Sequence, residues 1–332
     1  MRRAAHAAMK SPKSATSEPL AGGIAGTDFN PGMLTAAPRP RGVSAFMRIR
    51  NGEAFLEPAI RSHIRHFDEI VAVHNRCTDR TPDILARLAQ EFGPKLRVFQ
   101  YLPDVYPPGS DGHKREPANS PNSLVNYYNV ALALTRFSHA TKLDDDHLAI
   151  ESNLASLVAD ASRGRHGDEM SCFSGFNLAR AGHGGLGILA SDPFSGGGDI
   201  GIFPVSSQTY FTHDPRFERF HRGPLRRRFR GFVYWHLKYL KADRGFANYD
   251  LAENPESRYR RKLDMLEAGM RVVPASELEA GMDFSSRVLA GLGRLGVPLP
   301  QKARLVADRW NSAIEELARH PLDRVAGLPD PF

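Results

Sequence analysis

Ile70-Val71-Ala72-Val73 is an uninterrupted apolar run. It decides the fold class, because such a run is typical of a strand buried on both faces of a parallel sheet. Similar strands are predicted at Val43–Met47 before it and at Leu96–Phe99 after it. Amphipathic helical patterns with Pro in the first turn separate the three strands. The alternation predicts an α/β fold: a Rossmann-like, mostly parallel sheet flanked by helices, with a site at the carboxyl ends of its strands.

Three consecutive carboxylates, Asp144, Asp145 and Asp146, follow a fourth predicted strand at Ala140–Leu143. Adjacent carboxylates repel one another, and a divalent cation removes the cost of ionising them together. Oxygen ligands of this kind suit Mg²⁺ or Mn²⁺, so the motif predicts an ion held by Asp144 and Asp146. The alternative is a polar turn that caps the helix predicted from Glu151, although a cap requires only one Asp.

Composition narrows the class of protein further. The 332 residues carry a formal net charge of +7, include two cysteines and contain no apolar run of the ~18 residues that a membrane span needs. These features predict a cytoplasmic protein without a disulfide framework, and no secretory signal is evident. Residues 1–42 are basic and rich in Ala, Pro, Gly and Ser, which predicts a disordered tail able to touch the inner face of a membrane. The charge on the remainder is too small to indicate nucleic-acid binding.

Two further motifs follow the first and second strands. They are Arg48-Ile49-Arg50-Asn51-Gly52-Glu53 and His74-Asn75-Arg76-Cys77-Thr78-Asp79-Arg80-Thr81. Together with the acidic triplet, over residues 43–250, they resemble the family 2 glycosyltransferases, which have the A-type nucleotide-sugar fold. The resemblance implies a nucleotide-binding role for Arg48, Asn51, Glu53, Asn75 and Asp79, with Asp145 in the Asp-x-Asp motif that binds metal and diphosphate.

The second of these motifs leaves two points open. Asn75 stands where many family members have an Asp that reads the base, so the base is not specified. Thr78, Asp79 and Thr81 also have the chemistry of an ordinary turn and helix start. This structural role is compatible with nucleotide binding, because the N-terminus of a helix is itself a favourable site for phosphate.

The resemblance also assigns roles in the second half of the chain. His236 is similar to a third metal ligand and Lys238 to a group that meets the leaving diphosphate, although a lone His among aromatic residues is often simply packed. Similar enzymes place a catalytic carboxylate near the glycine-rich segment that ends in Asp199. Small neighbours leave room for a general base to come within about 3 Å of a hydroxyl group. We therefore predict Asp199 as the base; the alternative is that it only holds the loop through backbone hydrogen bonds.

The expected organisation is a tail (1–42), a glycosyltransferase domain (43–250) and a helical C-terminal extension (251–332). Within the domain, residues 43–150 form the nucleotide-sugar half and residues 151–250 the acceptor half. The resemblance implies a metal-dependent, inverting transfer from a nucleotide-sugar donor to a glycan or lipid-linked acceptor, in surface polysaccharide biosynthesis. The processive members' Gln-x-x-Arg-Trp motif is absent, which indicates transfer of single sugars.

Two alternatives remain. A nucleotidyltransferase would usually carry a glycine-rich loop after the first strand, where this chain has only Gly52. A non-catalytic relative that binds polyanions would gain nothing from three central carboxylates.

Overall fold

The structure is a computed structural model that describes residues 23–26, 28–165, 167–181, 185–196, 200–249, 251–252, 255–269, 271–325 and 328. Its strands are β1 (Val43–Ile49), β2 (Glu69–Asn75), β3 (Leu96–Tyr101), β4 (His139–Lys142), β5 (His147–Ala149), β6 (Glu169–Arg180), β7 (Leu186–Leu189), β8 (Phe194–Ser195), β9 (Gly201–Pro204), β10 (Tyr210–Asp214), β11 (Phe217–His221), β12 (Arg226–His236) and β13 (Val272–Val273). Its helices are α1 (Leu56–His63), α2 (Thr81–Phe92), α3 (Asp111–Arg115), α4 (Leu124–Ala133), α5 (Glu151–Ser162), α6 (Arg258–Glu267), α7 (Phe284–Arg294) and α8 (Gln301–Arg319).

Eleven of the described strands form one sheet with the order β13-β7-β6-β9-β4-β1-β2-β3, in which β12 pairs with β5 and β6, and β8 with β6. The central strands β3, β2, β1 and β4 are mutually parallel. Strand β9 runs antiparallel to both β4 and β6, and β10 and β11 form a separate hairpin. The predicted fold class, with a parallel central sheet flanked by helices, is confirmed.

Successive residues of β1 pack into two different apolar layers, as expected when side chains alternate across a strand. Ala45 and Met47 lie in the layer that contains Ile60 of α1 and Leu85 of α2. Phe46 lies in the opposite layer, which contains most of α4. Both faces of the sheet are therefore covered. Because β1 to β4 are parallel, the polar side chains at their carboxyl ends lie together at one uncovered edge of the sheet.

Two helix boundaries differ from the sequence pattern. The apolar pattern from Leu124 to Phe137 predicts one helix over that range, but the helix ends at Ala133. Thr81, whose type suggests an N-cap, is instead the first helical residue. Its Oγ1 accepts a hydrogen bond from the Gly52 backbone N–H at 2.8 Å, so it joins the loops that follow β1 and β2.

Both ends of the chain add to the sheet beyond the predicted domain limits. Residues 1–22 of the predicted tail lie outside the described residues, but Ile24 forms a parallel bridge with Tyr101 and Leu34 is fully buried. At the other end, β13 pairs with β7 and α8 packs along β12. None of the helices in the described parts of the chain has both the length and the apolar character needed to cross a membrane.

Candidate active site

A cavity of about 350 Å³ opens where the loops after β1, β4 and β12 meet. Its walls combine carboxylates, cationic side chains and tyrosines. The residues that line it and are used below are Arg48, Arg50, Asn75, Tyr128, Lys142, Asp144, Asp145, Asp146, Glu218, His236, Lys238, Lys241, Tyr249 and Tyr259. The structure therefore brings Arg48, Asn75, the acidic triplet, His236 and Lys238 to one place, as the sequence motifs predict.

Two lysines neutralise the acidic triplet. Lys142 Nζ lies 2.9 Å from Asp144 Oδ2. Lys241 Nζ lies 3.0 Å from Asp145 Oδ2 and 2.9 Å from Asp146 Oδ2. The repulsion that suggested a metal ion is thus already reduced by ammonium groups, and Lys241 was not among the site residues predicted from sequence.

Burial and these lysines set the charge of the triplet. Burial alone would raise the pKa of Asp144, but the Lys142 ammonium outweighs it and lowers the pKa to about 2. For Asp146, burial is likewise outweighed by the Lys241 ammonium, so its pKa lies well below the usual range. The pKa of Asp145 is raised because burial dominates over Lys241. Asp144 and Asp146 are therefore carboxylates at neutral pH.

Asp146, His147 and His236 form a cluster whose ligand atoms all lie within 4.8 Å of one another. Strand pairing explains their convergence: β5 is antiparallel to β12, with His147 opposite His236. The Leu237 backbone N–H donates to the Asp146 carbonyl oxygen at 2.8 Å, which fixes the acidic loop against the end of β12. The prediction named Asp146 and His236 but missed His147, although it directly follows the triplet.

Hydrogen bonding orients His236 for ligation. Asn177 Nδ2 donates to the Asp192 carbonyl oxygen at 2.7 Å, so Asn177 Oδ1 faces His236 Nδ1 at 2.5 Å. In the neutral ring, Nδ1 must then carry the hydrogen and Nε2 the lone pair. Nε2 lies 3.4 Å from Asp146 Oδ1, an arrangement of two acceptors that suits a cation between them.

His147 supplies a second unused nitrogen. Its ring stacks on Tyr234 with centroids 3.7 Å apart, and its buried Nε2 has no hydrogen-bond partner. Burial lowers the pKa of His147 to about 3, so the ring is neutral and able to ligate. A buried polar atom without a partner is costly, and a bound cation would satisfy it.

Asp144 lies beside the three-residue cluster. Its Oδ2 is held by Lys142, and His147 Nε2 lies 3.6 Å from the same oxygen. It lines the cavity but is not part of the three-residue cluster. Its assignment as a direct metal ligand therefore stays a prediction.

Arg48 of β1 and Asn75 of β2, which the sequence motifs assign to nucleotide binding, both line the cavity. Arg48 lies over the Tyr128 ring, with Cζ 4.1 Å from the centroid, and donates to the Tyr128 hydroxyl at 2.6 Å. Asn75 Nδ2 donates to the carbonyl oxygens of Tyr101 and Pro103, both at 2.7 Å. Since both amide hydrogens are used, Oδ1 is the atom of this side chain that can accept a hydrogen bond from a ligand.

Asn51, Glu53 and Asp79 connect two loops. Asn51 Oδ1 accepts from the Thr78 backbone N–H at 2.8 Å, and Asp79 Oδ2 from the Glu53 backbone N–H at 3.0 Å. Glu53 Oε2 accepts from the Arg80 backbone N–H at 3.0 Å. None of the three is among the residues that line the cavity in the described structure. Their observed contacts fit the turn and helix-start chemistry, and their contact with a nucleotide stays a prediction.

Gly52 belongs to the same loop and leaves room for the acidic triplet. A Cβ atom at this position would lie 2.8 Å from Asp145 Oδ2 and 3.0 Å from Ile49 Cγ2. A side chain here would therefore push against the carboxylate that Lys241 binds. The absence of a side chain at residue 52 is a requirement of the site.

Lys238 is enclosed by aromatic rings. Its Nζ lies 4.3, 5.0 and 5.9 Å from the ring centroids of Phe246, Tyr249 and Tyr259. Burial lowers its pKa to about 8. Tyr259 belongs to α6, so the segment predicted as an extension contributes to the wall of the cavity.

The predicted base, Asp199, lies outside the described residues. Glu218 of β11 lines the cavity and was not predicted, because one Glu in a charged hairpin gives no signal in the sequence. The hairpin is anchored by Asn129 of α4, which bonds to both the N–H and the carbonyl oxygen of Phe211. This contact holds the Glu218 carboxylate near the cavity.

The chain matches no family model and no curated protein. Among solved structures, it aligns with glucosyl-3-phosphoglycerate synthase from Mycobacterium tuberculosis in complex with UDP, at 18% identity and a TM-score of 0.27, over 48% of this chain and 52% of that one. The alignment thus spans about half of the synthase. A complex of the same synthase with Mn²⁺, UDP-glucose and phosphoglyceric acid aligns at 19% identity and a TM-score of 0.26, over 47% and 50% of the two chains.

S. aureus TarS 1-349 aligns over more of the chain, at 14% identity and a TM-score of 0.34, covering 83% of this chain and 91% of that one. Because the TM-scores are low, the function proposed below rests on the residues of the cavity.

Proposed function

We propose that the protein is a metal-dependent glycosyltransferase that uses a nucleotide-sugar donor. The observation that carries the proposal is the convergence of Asp146, His147 and His236 with Lys238 and Arg48 around one cavity. A cation site beside several fixed positive charges is suited to a diphosphate leaving group. The site lies at the carboxyl ends of parallel strands, where α/β folds bind their ligands.

Asp146 and His236 would hold a divalent cation, with His147 Nε2 available as a further ligand. Their imidazole and carboxylate donors favour Mn²⁺ over Mg²⁺, because Mg²⁺ prefers an all-oxygen shell. A bound cation supplies charge neutralisation to the departing diphosphate. Asn177 keeps the lone pair of His236 Nε2 directed at Asp146, and would therefore support metal affinity without touching the ion.

Arg48, Lys142, Lys238 and Lys241 would stabilise the negative charge of the donor and its leaving group. Lys238 fits best, because its ammonium contacts aromatic faces rather than a carboxylate. Asn75 Oδ1 would accept a hydrogen bond from an N–H group of the base, and the Tyr101 and Pro103 carbonyls fix that orientation. An acceptor at residue 75 suits a base that presents an N–H, as uracil does.

On the acceptor side, we propose a single displacement at the anomeric carbon. A carboxylate takes the proton of the acceptor hydroxyl, the hydroxyl oxygen bonds to the anomeric carbon, and the bond to the diphosphate oxygen breaks with its electron pair. This course inverts the anomeric configuration. Asp199 is the predicted base and Glu218 the second candidate. If Asp199 is the base, Asp199→Asn should lower the transfer rate far more than Glu218→Gln does; the reverse order would assign the role to Glu218. A product with retained configuration by NMR would contradict the single displacement.

A glycan or lipid-linked acceptor of a surface polysaccharide pathway, handled at the cytoplasmic side of a membrane, remains our expectation from the motifs. The test of the core proposal is transfer or hydrolysis with a panel of nucleotide sugars, with Mn²⁺ or Mg²⁺. Asp146→Asn and His236→Gln should each lower the rate by about a hundredfold or more. Asp160→Asn is the matched control, since this carboxylate binds Arg165 on the surface of α5.

Two results would oppose the proposal. Full activity of the Asp144→Ala, Asp146→Ala double variant would show that the metal site is wrongly assigned. Release of pyrophosphate from nucleoside triphosphates, without sugar transfer, would indicate a nucleotidyltransferase.

A further inference from the structure

Helix α7 exposes apolar side chains to an unusual degree. Phe284 is 81% exposed, Leu295 is 80% exposed and Val288 is 42% exposed. Among the large apolar side chains of the described residues, Phe284 and Leu295 have by far the greatest exposure. Apolar side chains grouped on one surface indicate an interaction site more often than scattered ones do.

Phe284 and Val288 belong to α7, and Leu295 is its C-cap, whose backbone N–H still bonds to Gly291. The three side chains lie on one face. At 100° per residue, positions 284, 288 and 295 fall within an arc of about 40°. The opposite face packs on α8: Ala290 is fully buried, and a Cβ atom at Gly293 would lie 2.9 Å from Ala307 Cβ. The apolar stripe therefore points away from the rest of the protein over a length of about 16 Å.

Basic side chains accompany the stripe. Residues 284–305 contain four basic residues, Arg287, Arg294, Lys302 and Arg304, and no Asp or Glu. Beyond the loop that follows α7, a groove of about 290 Å³ is lined by basic residues of two elements, Arg227, Arg228, Lys302, Arg304 and Arg309. Four carboxylates lie nearby: Asp283, the N-cap residue of α7 directly before Phe284, Glu279, 3.7 Å from Arg294, Asp308 in the groove, and Glu169, 3.2 Å from Arg228. The seven basic side chains of the stripe and the groove outnumber them, so the balance is positive.

We propose that this surface, the exposed face of α7 with Lys302 and Arg304, docks on a membrane that contains anionic lipids. An amphipathic helix with a Phe/Leu face and basic flanks binds in the plane of the interface, with its apolar face at the boundary of headgroups and acyl chains. Lys302 and Arg304 would contact lipid phosphates. A second copy of the chain is a poorer occupant, since a two-fold contact would bring the same basic residues opposite one another.

The surface is separate from the cavity. Arg228 of the groove and His236 of the cavity are eight residues apart on β12. They are separated by up to about 26 Å, since β12 is bulged between them. The inference therefore does not rest on the proposed glycosyltransferase function. Loss of membrane binding and loss of sugar transfer can be measured independently.

The experiment is flotation of the full chain with vesicles of phosphatidylglycerol and phosphatidylcholine, and with phosphatidylcholine alone. Binding should require phosphatidylglycerol. The double variant Phe284→Ser, Leu295→Ser should bind about tenfold or more weakly. Lys302→Gln with Arg304→Gln should weaken binding about thirtyfold at low salt. Met33→Ser is the matched control, because Met33 is 39% exposed on a different part of the surface and should bind like the unaltered chain.

Equal binding by the Phe284→Ser, Leu295→Ser variant, or no binding to phosphatidylglycerol vesicles by the unaltered chain, would overturn the proposal. So would a dimer in solution that the same double variant dissociates, since a second copy would then cover the face. Folding is checked by thermal unfolding, and Phe284→Trp gives a second measurement. Its emission should shift to the blue with anionic vesicles and be quenched by brominated lipid, while the native Trp235 and Trp310 are buried. An unshifted emission would count against insertion.

Discussion

Lys241 and a metal ion compete for the same carboxylate, and this leads to a quantitative prediction. The Lys241 side chain is 14% exposed, and its Nζ lies 2.9 Å from Asp146 Oδ2. Asp146 is also the carboxylate of the metal-capable cluster. His236 faces Asp146 Oδ1 and Lys241 binds Oδ2. Binding of Mn²⁺ would therefore bring a second cation onto this carboxylate, and charge repulsion should drive the Lys241 ammonium away. The variant Lys241→Met keeps a long side chain and removes the charge.

The magnitude follows from the burial of the ion pair. The Asp145 and Asp146 side chains are 17% and 9% exposed, and removing one partner of a buried pair costs about 3–5 kcal/mol. Because the site borders a cavity, we take the lower limit, about 3 kcal/mol. The metal-free variant should lose that free energy of unfolding. Mn²⁺ no longer has to displace an ammonium, so its Kd should fall by up to about a hundredfold.

The assay is titration of Mn²⁺ followed by the electron paramagnetic resonance signal of the free ion, with unfolding in urea in the presence of EDTA or Mn²⁺. Mn²⁺ should stabilise Lys241→Met more than it stabilises the unaltered chain. Lys241→Arg is the control: it retains the charge and should show no gain in Mn²⁺ affinity. An unchanged or weaker Mn²⁺ affinity for Lys241→Met would refute the shared use of Asp146.

Three further predictions concern other parts of the molecule. Asn75→Asp would set a carboxylate oxygen against two backbone carbonyls, so nucleotide affinity by calorimetry should fall about tenfold or more, although the glycosyltransferases that the motifs resemble often have Asp at this position. Glu69 is fully buried and bound by two arginines; Glu69→Ala should cost about 3–5 kcal/mol in urea unfolding, and the exposed control Glu91→Ala should cost far less, because solvent screens its ion pair. Burial lowers the pKa of His63 from 6.5 to about 4. Between these values the unfolded chain binds a proton that the folded chain does not. His63 alone should thus lower the free energy of unfolding by about 3 kcal/mol as pH drops from 6.5 to 4, and His63→Leu should remove that part of the pH dependence.

Local patterns were sufficient for the four parallel strands at the centre of the sheet and for the acidic edge of the cavity. The apolar run Ile70–Val73 predicts β2, and the triplet Asp144–Asp146 predicts the edge of the sheet where the site lies. Both predictions use only residues that are adjacent in the sequence, because an uninterrupted apolar run and a group of neighbouring carboxylates can be recognised without tertiary contacts. The resemblance then added His236 and Lys238, which the structure places in the same cavity.

The residues that sequence reasoning missed depend on contacts between distant segments. His147 directly follows Asp146 in an extended segment, where alternating side chains would be expected to diverge. Pairing of β5 with β12 brings it opposite His236 instead. Lys241 reaches Asp145 and Asp146 because a short 3-10 turn, Lys238–Leu240, redirects the chain after β12. Neither pairing nor this turn has a sequence signal strong enough to predict.

The charges of the cavity connect the metal ion to the donor. Its described lining contains five cationic side chains, Arg48, Arg50, Lys142, Lys238 and Lys241, and four carboxylates, Asp144, Asp145, Asp146 and Glu218. With the two lysines committed to the triplet, little positive charge is left to attract a diphosphate. A divalent cation at Asp146 adds two charges and frees Lys241, so metal and nucleotide should each favour binding of the other.

This coupling must be reciprocal, because both ligands bind one protein at equilibrium. The factor by which Mn²⁺ lowers the Kd of a nucleoside diphosphate should equal the factor by which the nucleotide lowers the Kd of Mn²⁺, once the complex of the two in solution is subtracted. Titrations in both orders measure the two factors. In Lys241→Met the shared factor should shrink, because the lysine no longer has to be released. An undiminished factor in that variant would mean that the coupling arises from direct contact between the ion and the diphosphate, with no part played by Lys241.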